Sequence, residues 1–199
     1  MPDHLNSVKT RYHHGALRPA LIAAAQTVIA ERGIEGFSLR ETARRAGVSP
    51  SAPAHHFGDA RGLLTAIAAG AFEDLADALD AAAAAGSKSE RIRGQGIAYV
   101  DFALANRARF DLMWRAALLD REDEAYAAAA RRAFAALASA VGAGAGSPSD
   151  AAAAPAIAGW AVVHGFARLA IDGAFGTEQG AAERAAEAML PAVLDHLAL

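Results

Sequence analysis

Residues 38–59 read SLRETARRAGVSPSAPAHHFGD. Ser38 and Glu41 have the spacing of a capping box, in which each side chain answers the other's backbone amide. Behind that start, Leu39, Ala43 and Ala46 share one helical face. Arg40 and Arg44, four apart, share another, with Arg45 beside them. Gly47 breaks the helix and Val48 plugs the turn. Ser49 as N-cap and Pro50 at the first helical position open a further helix. Pro53 removes one more early N–H, so this helix is expected to be short and to end near His56 or Phe57. Its body is made of small residues, which let a backbone press close to a surface. Two helices joined by a Gly-containing turn, the first basic and the second small, make the pattern of a helix-turn-helix. In such a motif the second helix enters the major groove and the first crosses the backbone. Ser51 can then bond a base edge, and the Ala52 methyl can pack on a thymine methyl. A plain helical corner has the same pattern, and these residues alone leave both readings open.

Outward from that stretch, a first helix is expected from about His14 to Arg32. Leu17, Leu21, Ala24 and Val28 recur on one face, with Gly33 as its left-handed stop. Asp59 caps a long fourth helix striped by Leu64, Ile67, Ala71, Leu75 and Leu79, reaching about Ala85. At about 1.5 Å per residue it would span roughly 40 Å, enough to join two domains. Ser87 and Glu90 form a second capping box. Helices follow at about 88–105, 107–119, 122–141, 150–173 and 178–198. GAGAGSPS at 142–149 is a joint; no strand precedes it, so it is not a dinucleotide loop.

Composition agrees with an all-α fold. Alanine exceeds a quarter of the 199 residues, β-branched residues are sparse and cysteine is absent. No cysteine means no disulfide framework, thiol nucleophile or zinc–cysteine site. Net charge is −3 but uneven. Residues 1–61 carry Lys9, Arg11, Arg18, Arg32, Arg40, Arg44, Arg45 and Arg61 against Asp3, Glu31, Glu35, Glu41 and Asp59, a balance of +3. The remainder is acidic, so a polyanion partner is expected at the N-terminal end. No apolar leader opens the chain, and AAAAPAIAGWAVVHGFA at 151–167 reads as a buried helix rather than a membrane span. The expected compartment is the cytoplasm.

The stretch RYHHGALRPALIAAAQTVIAERGIEGFSLRETARRAGVSPSAPAHHFGDARGLLTAI resembles the TetR family of bacterial transcriptional regulators. Its most specific parts are GIEGFSLRETARRAGVS and the HHF-x-D-x-x-x-LL exit into the long helix. GWAVVHGFARLAIDG at 159–173 is similar to the Trp-His-Gly type of C-terminal domain found in one branch of that family. The resemblance implies an all-α fold of about nine helices. It divides into a flexible N-terminal arm at 1–12, a helix-turn-helix DNA-binding domain at 13–62, and a C-terminal bundle at 63–199 for ligand binding and dimerisation. It also implies a sequence-specific repressor, homodimeric on a palindromic double-stranded operator and released by a small-molecule effector. Many members carry Tyr and Lys where this chain has Ala54 and Ala60, both commonly phosphate contacts. A helical dimer that acts through protein partners therefore stands as the alternative.

The expected DNA-binding residues are Arg40, Thr42, Arg44, Arg45, Ser49, Ser51, Ala52, His55, His56 and Arg61. Arg11, Tyr12 and His13 can form an arm toward the neighbouring groove or a plain tail, and the amides opening the fourth helix form an anion site. Tyr99, Phe102, Phe110, Met113, Trp114, Phe134, Trp160 and His164 are the candidate lining of a pocket for an apolar or aromatic effector. Each also sits where core packing would place it. Ile157, Ala161, Leu190, Leu194 and Leu197 are the candidate dimer contacts. The His13–His14 and His55–His56 pairs lack metal-ligand spacing, and no Ser-His-Asp set or phosphate loop emerges. The chain is thus expected to be no enzyme and to take no cofactor and no metal.

Overall fold

The computed structural model describes residues 16–83, 86–142 and 148–196. Among them it is all-α, with nine α-helices, two single-turn 3-10 helices and no strand. The helices are α1 Leu17–Arg32, α2 Leu39–Arg45, α3 Ala52–Phe57, α4 Ala60–Ala82, α5 Lys88–Ala105, α6 Arg107–Met113, α7 Glu124–Ala140, α8 Ala154–Ile171 and α9 Ala181–Asp195. The chain divides into two units after Leu63, inside α4.

In the first unit α1 buries Leu21, Ala25, Val28 and Ile29. The expected face includes Ala24, which is only half-buried. In a run of three alanines the pattern does not say which one meets the core. The N-terminus of α2 is half a capping box: the Glu41 N–H donates to Ser38 Oγ at 3.5 Å. The reciprocal half is missing because the Glu41 carboxylate instead meets Arg32, Arg44 and Arg45. Gly47, with φ of 68°, makes the turn in a region that costs residues with a Cβ. The Val48 N–H donates back to the Ala43 carbonyl at 3.0 Å.

Helix α3 starts later than Ser49 and Pro50 suggest. Pro53 has no N–H, so the Ser49 carbonyl cannot receive the usual helical bond from it. The Ala52 N–H donates to Ser49 instead, at 3.0 Å, in a tighter turn, and the His55 N–H donates to the Ser51 carbonyl at 3.0 Å. Ser51 is the N-cap and makes no side-chain cap bond. The helix ends at Phe57, as expected. At the start of α4 a Cβ on Gly62 would lie 2.0 Å from the Phe57 carbonyl oxygen. Only glycine lets α4 begin that close to the end of α3.

In the second unit α5 packs against α6, α7, α8 and α9. Its buried Gln95 donates to the Leu79 carbonyl at 3.2 Å and the Ala136 carbonyl at 2.8 Å, tying α5 to α4 and α7. Gly96 admits Leu194, whose methyls would lie 2.5 and 2.8 Å from a Cβ there. The Ser87–Glu90 capping box is complete, with bonds of 3.3 and 2.7 Å. The outer face of α4 is acidic, and Arg132 of α7 gathers its Glu73, Asp77 and Asp80. The helix expected over 107–119 is broken. It stops at Met113 because Arg115 leaves the helical region with ψ of 65°, and a 3-10 turn follows at Ala116–Leu118. The stretch Ala151–Ile171, which contains α8, is long and apolar enough by composition to cross a membrane. α8 carries His164 and Arg168 and packs against α5 and α9.

Candidate nucleic-acid interface and ligand cavity

The first unit presents Ser49, Ser51 and His55 exposed, and Ala52 and His56 half-buried, on and just before α3. Arg40 and Arg44 are exposed on α2. Thr42 is a correction. It is wholly buried, and its hydroxyl donates to the Ser38 carbonyl at 2.9 Å. It holds α2 from inside and offers nothing to a partner. A carboxylate network restrains the basic face. Glu41 receives Arg44 through two bonds of 2.8 and 2.7 Å and Arg45 through one of 3.0 Å. Arg45 also clamps Glu31 through two bonds and is largely covered. Hydrogen bonds from Arg44 and then Arg45 hold the Glu41 carboxyl down at about 2.

Arg61 is exposed in the first turn of α4, as are Ala54 on α3 and Ala60 beside it. The amides there are not all open to an anion, because Asp59 Oδ1 accepts the Gly62 N–H at 2.8 Å. The Arg18 guanidinium lies 5.0 Å from the centre of the Phe57 ring, a contact between residues far apart in the chain that no local pattern announces. The arm residues Arg11, Tyr12 and His13 lie outside the described residues, as does Leu197.

The second unit encloses a cavity of about 440 Å³. That lies within the roughly 300–1,000 Å³ of small-molecule sites. Of the expected lining, Tyr99, Met113, Trp114, Phe134 and Trp160 are present. Phe102, Phe110 and His164 are not, and the latter two stand behind lining residues. Phe110 is fully buried against Tyr99, Trp114 and His164. Phe102 is buried on α5. His164 touches the lining residues without joining them: its ring lies edge-on to Trp114 at 4.8 Å between centroids, and its Nδ1 is 2.9 Å from the Tyr99 hydroxyl.

Trp160 Nε1 donates to the same hydroxyl at 3.2 Å. With the Trp160 N–H on its oxygen, the Tyr99 hydroxyl still has a proton to give, and it can donate to His164 Nδ1 when the imidazole is neutral with its proton on Nε2. Burial first, and the nearby Arg168 charge second, keep His164 below its ordinary pKa, which favours the neutral imidazole. Burial raises the Tyr99 phenol. The phenol is therefore a neutral, oriented group in the cavity wall. The Trp114 Nε1 has no hydrogen-bond partner among the described residues. Phe72, Leu75, Leu79 and Tyr126 also line the cavity, with Arg121 and Arg131, and the sequence reading missed all six. Leu75 and Leu79 read as part of an ordinary helix stripe, and nothing in a stripe marks where packing stops short.

Leu190 and Leu194 are also corrections. Each is 1% exposed inside the single chain, so neither is available to a second copy. Ile157 is half-buried and Ala161 exposed. The exposed large apolar side chains on the last two helices are Leu169 and Met189. Ala154, Ala158 and Ala161 lie exposed along α8 on the same side as Leu169, by helical spacing. Among the described residues no group of three or more His, Asp or Glu is placed to hold a metal ion.

Residues 21–67 match the family described as bacterial regulatory proteins, tetR family. Residues 92–193 match the tetracyclin repressor-like C-terminal domain. A protein of unknown function from Rhodococcus sp. RHA1 is 32% identical over 96% of this chain and 100% of its own, with a TM-score of 0.71. A regulatory protein in the tetR family from Rhodococcus RHA1 is 24% identical over 91% of this chain and 96% of its own, with a TM-score of 0.64. PfmR, a TetR family transcriptional regulator from Thermus thermophilus, is 24% identical over 88% of this chain and 97% of its own, with a TM-score of 0.60. No curated protein matches the chain.

Proposed function

This chain belongs to the TetR family of bacterial regulatory proteins, and on that premise we propose that it is a cytoplasmic, homodimeric repressor released from its operator by a small molecule in the 440 Å³ cavity. The observation that carries the effector part is that cavity, walled by both tryptophans of the chain. Its oriented Tyr99 hydroxyl supplies a polar handle in a wall that is mostly aromatic and aliphatic, the usual composition of a small-molecule site. The segment of Trp160, His164 and Gly165 supports a place in the Trp-His-Gly branch, since Trp160 and His164 meet on that hydroxyl.

On the DNA side, α3 is the reader and α2 crosses the backbone. Ser49, Ser51, Ala52 and His55 face base edges. Arg40, Arg44, His56 and Arg61 hold phosphates, Arg44 by turning its exposed guanidinium away from Glu41, while the largely covered Arg45 stays between Glu31 and Glu41. Ala158, Ala161, Leu169 and Met189 form the dimer face. A two-fold dimer places two readers on half-sites one helical turn apart, which calls for a palindrome. The effector acts by binding one dimer geometry better than the other, the condition for any ligand-driven shift. The test is selection from a random duplex pool by the full chain. A recovered two-fold sequence whose binding falls steeply with salt, about −0.9 in log–log slope per phosphate neutralised, supports the reading. Recovery of no shared sequence overturns it in favour of a dimer that works through proteins.

A further inference from the structure

The arginines of the second unit are not distributed at random among partners. Ten lie in residues 64–199. Seven of them, Arg93, Arg107, Arg109, Arg115, Arg132, Arg168 and Arg184, pair with carboxylates. Arg91 donates to the Gly86 carbonyl at 2.8 Å. The two left over, Arg121 and Arg131, have no carboxylate or carbonyl partner among the described residues, and both line the cavity. The contrast is sharpest between neighbours on α7. Arg132 takes three carboxylates from α4, while Arg131 takes none among the described residues.

We propose that the cavity takes an apolar carboxylate, its hydrocarbon body among Phe72, Trp114, Phe134 and Trp160 and its acid group at Arg121 and Arg131. Both arginines are exposed while Tyr99 and Met113 are buried, so the charge lies at the mouth and the apolar wall at depth. A guanidinium at the rim keeps its charge hydrated until a ligand arrives, with its stem along the apolar wall. Its planar fork matches a carboxylate with two parallel bonds. The unpartnered Trp114 Nε1 supplies a further donor within the same wall. The acidic residues flanking Arg121, namely Asp120, Glu122, Asp123 and Glu124, are not among the lining. Asp120 and Asp123 instead accept backbone amides, of Glu122 at 3.1 Å and of Tyr126 at 2.9 Å.

This rests on the cavity being the effector site, and the experiment separates the two claims. Biphenyl-4-carboxylate and its neutral isostere biphenyl-4-carboxamide are titrated into the full chain by calorimetry, with tryptophan emission reporting the location, since the only two tryptophans line the cavity. The expected result is a shift in emission with both probes and roughly tenfold or more tighter binding of the carboxylate. Arg121→Gln with Arg131→Gln should bring the ratio close to one, while Arg91→Gln, which removes the same kind of charge elsewhere, should keep it. Equal affinity for the two probes, or a preference that survives the double variant, overturns the carboxylate inference and leaves the effector site standing. Binding of neither probe, or binding without any change in tryptophan emission, overturns both.

Discussion

The two units carry function in opposite ways. In the first unit the candidate residues lie on the outside of short helices, and an internal acid, Glu41, decides which of them are free. In the second unit the candidate residues line a hole, and the free charges are those that no acid among the described residues reaches. A surface site follows from helical periodicity, because exposure repeats every turn. A cavity is a place where side chains of core type fail to meet, and no periodicity reports that. The same contrast separates the corrections. Thr42, expected outside, is inside. Leu190 and Leu194, expected to face a partner, face their own chain.

The largest expected effect breaks the second unit. Leu194→Ala should cost about 3 kcal/mol of stability, since it empties a site packed against Gly96. It should leave the dimer assembled under conditions where the fold survives. Leu169→Arg should do the reverse, giving a folded chain that sediments at 20.4 kDa. If Leu194→Ala dissociates an otherwise stable dimer, the interface was placed on the wrong side of α9.

Next comes Gly62→Ala in the first unit. The new Cβ meets a backbone oxygen that cannot rotate away. The expected loss is about 1–3 kcal/mol or more, with DNA binding lost and tryptophan emission from the cavity unchanged. Full DNA affinity in this variant would show that α3 and α4 need no such close approach.

Smaller effects separate inside from outside on the DNA face. Thr42→Val should cost about 1 kcal/mol of folding stability through its lost bond to Ser38. The selected DNA sequence should be unaltered. Ala52→Arg should change that sequence, each base contact being worth roughly 1–3 kcal/mol of discrimination. A changed sequence with Thr42→Val, or an unchanged one with Ala52→Arg, would move the reading surface off α3.

The smallest effect is the acid limb. Arg44 and Arg45 lower the Glu41 carboxyl from 4.5 to about 2 in the folded chain. A depressed carboxyl gives stability that is present above about pH 4.5 and lost as pH falls from there toward 2. Arg45 lowers Glu31 as well, and its loss runs the same way. Melting curves of wild type and Glu41→Gln between about pH 6 and pH 2 should converge on the acid side, the variant showing less of the decline. Parallel curves would mean that the clamp contributes nothing in solution, as is common for exposed ion pairs.

Residue order was enough for the all-α class, the helix-turn-helix, the Asp59 and Ser87 caps and five of the cavity residues. Each follows from local chemistry: a proline without an N–H, a glycine at a turn, a hydroxyl next to free amides, aromatic residues at helical spacing. Where α3 begins was not legible there, because it depended on which donor the Ser49 carbonyl found once Pro53 had none to give. Nor was it legible which arginines are spoken for. Arg131 and Arg132 are alike as neighbours in the chain, and only folding decides that the carboxylates of α4 reach Arg132. The cavity itself was hidden too, since Leu75 and Leu79 are part of one apolar stripe until neighbouring helices arrive and stop short of them. Local hydrogen bonding is encoded within a turn or two of chain. Burial and charge pairing join residues tens of positions apart, and those distances exist only in the folded molecule.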